Sequence, residues 1–165
     1  MAKHKTASQN GGAQPGRAEH SALSSPRRYG TGPGDRAANM QELLAIKKYQ
    51  RAIERNPVDA EAHFNLGVLY FAREKGEEAM GLFTKALELR PDYPEAHLLL
   101  GMEHHYRGQF DEAIDRYHTA LQLKPEDPAP YRLLALAFDA LGNQEAAHHA
   151  QARAEELAGN AVAVG

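Results

Sequence analysis

Residues 94–127 read PEAHLLLGMEHHYRGQFDEAIDRYHTALQLKPED, and the 34 residues before them follow the same pattern. Three prolines keep this step, because Pro57, Pro91 and Pro125 stand 34 residues apart. Small residues also recur in fixed columns. The columns are Gly67, Gly101 and Ala135; Ala45, Ala79, Ala113 and Ala147; and Ala52, Ala86, Ala120 and Ala154. A fixed period of this length with helical sequence inside it indicates a stacked array of helix pairs.

Each period predicts two helices. In the first full period, Asp59 is placed to cap a helix over about 60–73, and a second helix follows over about 76–89. The pattern recurs over roughly 94–107 with 110–123, and over 128–141 with 144–158, where we expect Gly159 to cap the last helix. A single helix precedes them, and Asn56-Pro57 ends it.

Composition and period together divide the chain into six segments. The first 34 residues are rich in Gly, Ser and Pro and hold few apolar side chains, so we expect a disordered basic tail. The segments are the tail over 1–34, a lone helix over 35–58, repeats over 60–93 and 94–127, a C-terminal repeat with capping character over 128–159, and a frayed end over 160–165.

The residues that recur resemble those of the tetratricopeptide repeat. In 60–93 they are Leu66-Gly67, Tyr70, Ala79, Phe83, Ala86 and Pro91; in 94–127 they are Leu100-Gly101, Gly108, Ala113, Tyr117, Ala120 and Pro125. The resemblance covers about residues 39–158 and implies an all-α, right-handed superhelical solenoid of antiparallel helix pairs. His63 and His97 depart from it, since the family often has a large aromatic residue there. The turn glycine is also missing at Glu74.

The resemblance implies that the first helix of each pair lines a concave groove. The 34-residue step gives three columns there: Phe64, Leu98 and Arg132; Val68, Met102 and Leu136; and Phe71, His105 and Asp139. The first two thirds of this surface are apolar. We therefore expect a non-enzymatic scaffold or adaptor that binds a peptide or helix of a partner protein, with Phe64, Val68, Phe71, Leu98 and Met102 as anchors and Arg132 and Asp139 setting orientation. The alternative is that Phe64 and Phe71 pack between adjacent repeats.

Two binding modes known in the family do not fit these columns. Relatives that clamp acidic C-termini place Lys, Asn and Arg in the groove, whereas this chain has Phe64, Val68 and Leu98 there. Relatives that hold peptide backbones use a ladder of asparagines, of which only Asn65 is present. An apolar ligand is therefore the expectation.

The first helix and the tail suggest two other functions. The first helix has no partner helix, so Leu43, Leu44 and Ile46 are expected to be partly bare, and they could build a homo-oligomeric platform. Residues through Ala38 include six basic and two acidic side chains, within a chain of net charge −3. This basic tail could associate weakly with nucleic acid, without sequence specificity.

Several classes of function find no support in the sequence. There is no cysteine, so disulfides and thiolate zinc sites are excluded. No His-Glu-x-x-His, phosphate-binding loop or Gly-x-Ser-x-Gly occurs, so we expect no metal, cofactor or catalytic residues. No apolar run reaches the roughly 18 residues of a membrane span, and no apolar stretch follows the early lysines. The expected location is cytoplasmic.

Overall fold

The computed structural model describes the backbone of residues 33–163 and the side chains of residues 39–159. This part of the chain contains seven helices and no strand. They are α1 (Pro33–Arg55), α2 (Ala60–Ala72), α3 (Gly76–Leu89), α4 (Pro94–Tyr106), α5 (Phe110–Leu123), α6 (Pro128–Ala140) and α7 (Gln144–Ala163). The predicted tail lies outside the described residues, except that α1 begins at Pro33.

The helices pack as three pairs joined in sequence. The most extensive contacts are α2 with α3, α4 with α5 and α6 with α7, and smaller contacts join α1 to α2, α3 to α4 and α5 to α6. Within each pair, three residues connect the two helices, so that the second helix runs back along the first. The predicted all-α solenoid of helix pairs is confirmed.

Most helices begin and end close to the predicted residues, and aspartate caps the first helix of two pairs. Asp59 accepts a hydrogen bond from the Ala62 backbone N–H at 3.0 Å, and Asp127 accepts one from Ala129 at 2.9 Å. One boundary was wrong, because α7 continues through Gly159 to Ala163. The residues around this glycine favour helix, and one interior glycine costs only about 1 kcal/mol relative to alanine.

Glycine lies where the two helices of a pair cross most closely. A Cβ placed on Gly67 would lie 2.7 Å from the ring of Phe83, and one on Gly101 would lie 2.6 Å from the ring of Tyr117. Both rings are fully buried. Gly67 and Gly101 therefore leave no room for a side chain at this crossing, and an aromatic ring fills the space that each glycine leaves.

The three turns within pairs share one hydrogen-bond pattern. In the first turn the N–H of Lys75 donates to the carbonyl of Tyr70, and the N–H of Glu74 donates to Phe71, both at 3.0 Å. This is the Schellman arrangement, which needs a left-handed residue at its centre. The later turns use Gly108 and Gly142 there, with φ of 74° and 76°, whereas Glu74 adopts φ of 58°.

A histidine joins each of the first two full repeats to the proline before it. The Nε2 atoms of His63 and His97 lie 3.0 Å from the carbonyl oxygens of Pro57 and Pro91. Since a carbonyl only accepts, each Nε2 carries the proton and donates it. Burial lowers the pKa of His97, with a smaller contribution from Arg116, and outweighs the opposing effect of the hydrogen bond.

The expectation that Ile46 is partly bare was wrong. Ile46 is buried, with 4% of its surface exposed, because α1 packs against α2. It occupies the register of Met80, which is partly buried, against the core cluster of Phe83 and Leu100. Leu43 and Leu44 are exposed, as expected.

Replacing Gly101 with alanine should destabilise the fold by about 1–3 kcal/mol, because the new methyl group collides with Tyr117. Urea unfolding followed by circular dichroism measures this change. Gly81→Ala is the matched control, since nothing lies within 4 Å of a Cβ at that helical position. It should stabilise by up to about 1 kcal/mol, and equal effects of the two substitutions would contradict the crossing geometry.

Glu74→Gly should stabilise the protein by about 0.5–1 kcal/mol, because relief of the left-handed conformation exceeds the entropic cost of glycine. The reciprocal Gly108→Glu should destabilise it by a similar amount or more. Thermal and urea unfolding test both. A neutral Glu74→Gly would show that this turn carries no strain.

Stability should fall as the pH drops below the ordinary histidine pKa of 6.5. The folded state holds the pKa of His97 below that value, so the unfolded chain binds a proton first and acid favours unfolding. His97→Tyr, which places here the residue found at position 131, should reduce this loss. The midpoints of urea unfolding on either side of pH 6.5 measure this loss. Identical pH profiles of the wild type and of His97→Tyr would show that His97 does not cause it.

Candidate partner-binding surface

The nine residues of the predicted groove lie on the first helices of the three pairs. The set is Phe64, Val68 and Phe71 on α2; Leu98, Met102 and His105 on α4; and Arg132, Leu136 and Asp139 on α6. We call this set the groove residues. Their burial differs along the array, and this difference shows which of them have surface left for a ligand.

Aromatic rings link α2 to α4. The Phe64 ring lies 4.6 Å from that of Tyr93, and the Phe71 ring lies 5.9 Å from that of Tyr106, between centroids. Both phenylalanines also approach Phe83 from behind, at 5.9 and 6.5 Å. Phe64 and Phe71 therefore do pack between adjacent repeats, and each is half-buried.

The three other predicted anchors are also half-buried. Val68 packs beside the phenylalanines against the core around Phe83. Leu98 and Met102 pack against the next core cluster, which includes Tyr117. Each anchor thus divides its surface between the core and the outside, so the first two repeats offer a partly exposed apolar floor.

The third repeat is more open. Leu136 is 49% exposed, which is more than any of the five anchors, and Arg132 and Asp139 are exposed. One carboxylate oxygen of Asp139 accepts a hydrogen bond from Gln144 Nε2 at 2.7 Å. Arg132 makes no ion pair with a described residue, so its guanidinium is available to an anionic group of a ligand.

Sequence reasoning missed two tyrosines at this surface. Tyr106 is 61% exposed although its ring contacts Phe71. Tyr93 lies half-buried between Phe64 and Arg90, whose guanidinium stands 4.6 Å above its ring. The sequence pattern that could have identified Tyr106 is its position directly after His105, at the last residue of α4.

His105 is turned towards its own pair. Its ring meets Phe110 edge-on at 5.1 Å between centroids, and its Nδ1 is buried without a hydrogen-bond partner. Burial lowers the pKa of His105. It is therefore a neutral, partly apolar element of the surface, and not a charged contact.

The described residues offer little to other chemistries. Within 39–159, no three His, Asp or Glu side chains are grouped to hold a metal ion. None of the described helices is both long enough and apolar enough to span a membrane. The chemistry of this surface is apolar and aromatic contact, with two opposite charges at its C-terminal end.

Comparison with known proteins places the repeats in a family. Tetratricopeptide-repeat models match residues 44–94, 82–115 and 101–142. A comparison with curated proteins finds no match.

The fold is similar to solved structures of MamA. A crystal structure of MamA matches with a TM-score of 0.70 at 22% identity, over 78% of this chain and 75% of that one. MamA MSR-1 matches with a TM-score of 0.66 at 26% identity, over 77% of this chain and 73% of that one. MamA AMB-1 matches with a TM-score of 0.61 at 28% identity, over 68% of this chain and 61% of that one. With the repeat pattern, the paired helices and these matches together, the chain belongs to the tetratricopeptide-repeat family, whose fold is that of a protein-interaction scaffold.

Proposed function

We propose that this protein holds an apolar peptide or helix of a partner protein against the groove residues, without catalysing a reaction. The proposal rests on apolar surface that the core does not consume. Tyr106 and Leu136 are 61% and 49% exposed on α4 and α6. Half-buried rings and aliphatic side chains continue this surface on α2 and α4, and exposed apolar surface that persists over neighbouring elements is typical of interaction sites.

The composition of the surface indicates the ligand. Aromatic side chains bury much area at low entropic cost, so Tyr106 and the exposed edges of Phe64 and Phe71 suit apolar anchors spaced along a peptide. Arg132 and Asp139 stand one above the other at i and i+7 on α6, two helical turns apart. Their opposite charges would orient a ligand that carries a matching pair.

A photo-crosslinking residue at position 106 tests this function. The site is exposed and the replacement is itself aromatic, so the fold should tolerate it. Irradiation of native lysate should give a discrete adduct from position 106. The same residue at position 123 is the control, because Leu123 is an exposed leucine on α5, a second helix of a pair. Equal amounts of adduct from positions 106 and 123 would indicate non-specific binding and overturn the proposal.

The substitution Leu136→Glu on the crosslinking background sharpens the test. It places a charge in the apolar surface without touching the core, and the adduct should fall by about tenfold or more. Val58→Glu is the matched control, because Val58 is 69% exposed in the turn before α2. If Leu136→Glu leaves the adduct unchanged, the third repeat takes no part in binding.

A further inference from the structure

The outer face of α1 carries four positive charges. Lys47, Arg51 and Arg55 are four residues apart, and Lys48 lies three residues before Arg51, which places all four on one side of the helix. All four are exposed. They line a hollow of about 400 Å³, and the other described residue that lines it is Leu44, which is 59% exposed. We call these five residues the cationic face.

None of the four cations forms an ion pair with a described residue. Glu42, on the same helix, is directed to Arg73 at 3.6 Å, and Glu54 lies within 4 Å of none of them. Elsewhere the cations are mostly paired with carboxylates: Arg73, Lys75, Lys85, Arg107, Lys124 and Arg153. Like charges at i and i+4, such as Lys47 with Arg51 and Arg51 with Arg55, destabilise a helix.

Three of the five residues of the cationic face depart from the repeat, whereas Lys48 shares its register with Arg116, and Arg51 shares its register with Lys85 and Arg153. The corresponding residues of later repeats are Glu78, Glu112 and Ala146 for position 44; Gly81, Asp115 and His149 for position 47; and Leu89, Leu123 and Leu157 for position 55. α1 therefore has leucine where two repeats have glutamate, and arginine where all three have leucine. The period therefore does not account for Leu44, Lys47 or Arg55, although the helix dipole favours a cation such as Arg55 in the last turn of α1.

We propose that the cationic face docks an acidic, amphipathic segment of a partner protein. Carboxylates of that segment would pair with the four cations, and an apolar side chain would cover Leu44 and the neighbouring Met40, which is 58% exposed. This surface is separate from the groove residues and its ligand has the opposite character, so it does not depend on the proposed groove function.

The charges of the chain itself disfavour two other occupants. Residues 1–32 contain five basic side chains and one acidic one, so the tail would be repelled. Two copies paired through their cationic faces would bring eight cations together. Interfaces place opposite charges against each other, and like charges there cost several kcal/mol.

Extended polyanions fit less well than a short segment. Residues 56–165 carry 18 acidic and 9 basic side chains, so a nucleic acid or an anionic membrane would meet a repulsive body beyond α1. A helix that lies in a membrane also separates its apolar and cationic sides, whereas Leu44 lies among the cations. A short acidic segment contacts α1 alone.

The test uses the full chain and a labelled synthetic helix with leucine and glutamate on one face, followed by fluorescence anisotropy over a salt series. The wild-type protein should bind this probe, and affinity should fall with salt. Lys48→Glu with Arg51→Glu should weaken binding by about tenfold or more. Lys75→Glu, just before α3, with Lys85→Glu on α3 changes the net charge equally, and should change binding by less than about twofold because those sites lie off the cationic face.

Four results would overturn the proposal. They are equal weakening by both variant pairs, equally tight binding of a probe with glutamine in place of glutamate, tighter binding of single-stranded DNA or phosphatidylserine vesicles than of the probe, and self-association in sedimentation that only the α1 variant abolishes. The last would assign the face to a second copy. Circular dichroism confirms folding of each variant, and Lys48→Gln with Arg51→Gln replaces the reversal if that variant is unfolded.

Discussion

The close crossing of the two helices in each pair is the constraint on which the array depends. Phe83 and Tyr117 are both fully buried, and each ring occupies the space that a glycine of the facing helix leaves open. A buried aromatic side chain contributes several kcal/mol of stability through its apolar area. That area is buried only if the helices approach this closely, so the glycine and the ring act as one unit.

The same buried rings position the surface that faces a ligand. Phe83 contacts both Phe64 and Phe71, so the ring that closes the first pair also supports the rings that link α2 to α4. Tyr117 belongs to the core cluster against which Leu98 and Met102 pack. The groove residues are thus the outer layer of the crossing, and a change at a crossing glycine would disturb them even though it makes no contact with a ligand.

The sequence predicted most of this fold because the period sets many positions at once. Proline, aspartate and small residues recur at fixed steps, so the helix boundaries came out within about two residues, except at Gly159 where no second signal ends the helix. The burial of Ile46 was missed because apolar spacing identifies a stripe without saying which neighbour covers it. The exposure of Tyr106 and the inward turn of His105 were missed because two adjacent residues at a helix end differ by about 100° in direction, which a 34-residue column does not resolve.

The first described helix, α1, is packed less completely than the second helices of the pairs. Ala79, Phe83 and Ala86 are fully buried against α2, whereas Ala45, Tyr49 and Ala52 in the same registers of α1 keep part of their surface exposed, because α2 is the one described helix that packs against α1. Inside the array, each such position is fixed by packing against a neighbour. On the outer face of α1 no described neighbour imposes a residue type, so packing among the described residues does not explain the choice of arginine over leucine at position 55. Lys47, Arg51 and Arg55 repel one another at four-residue spacing and make no ion pair with a described residue, so a partner that neutralises them would relieve this repulsion and stabilise α1.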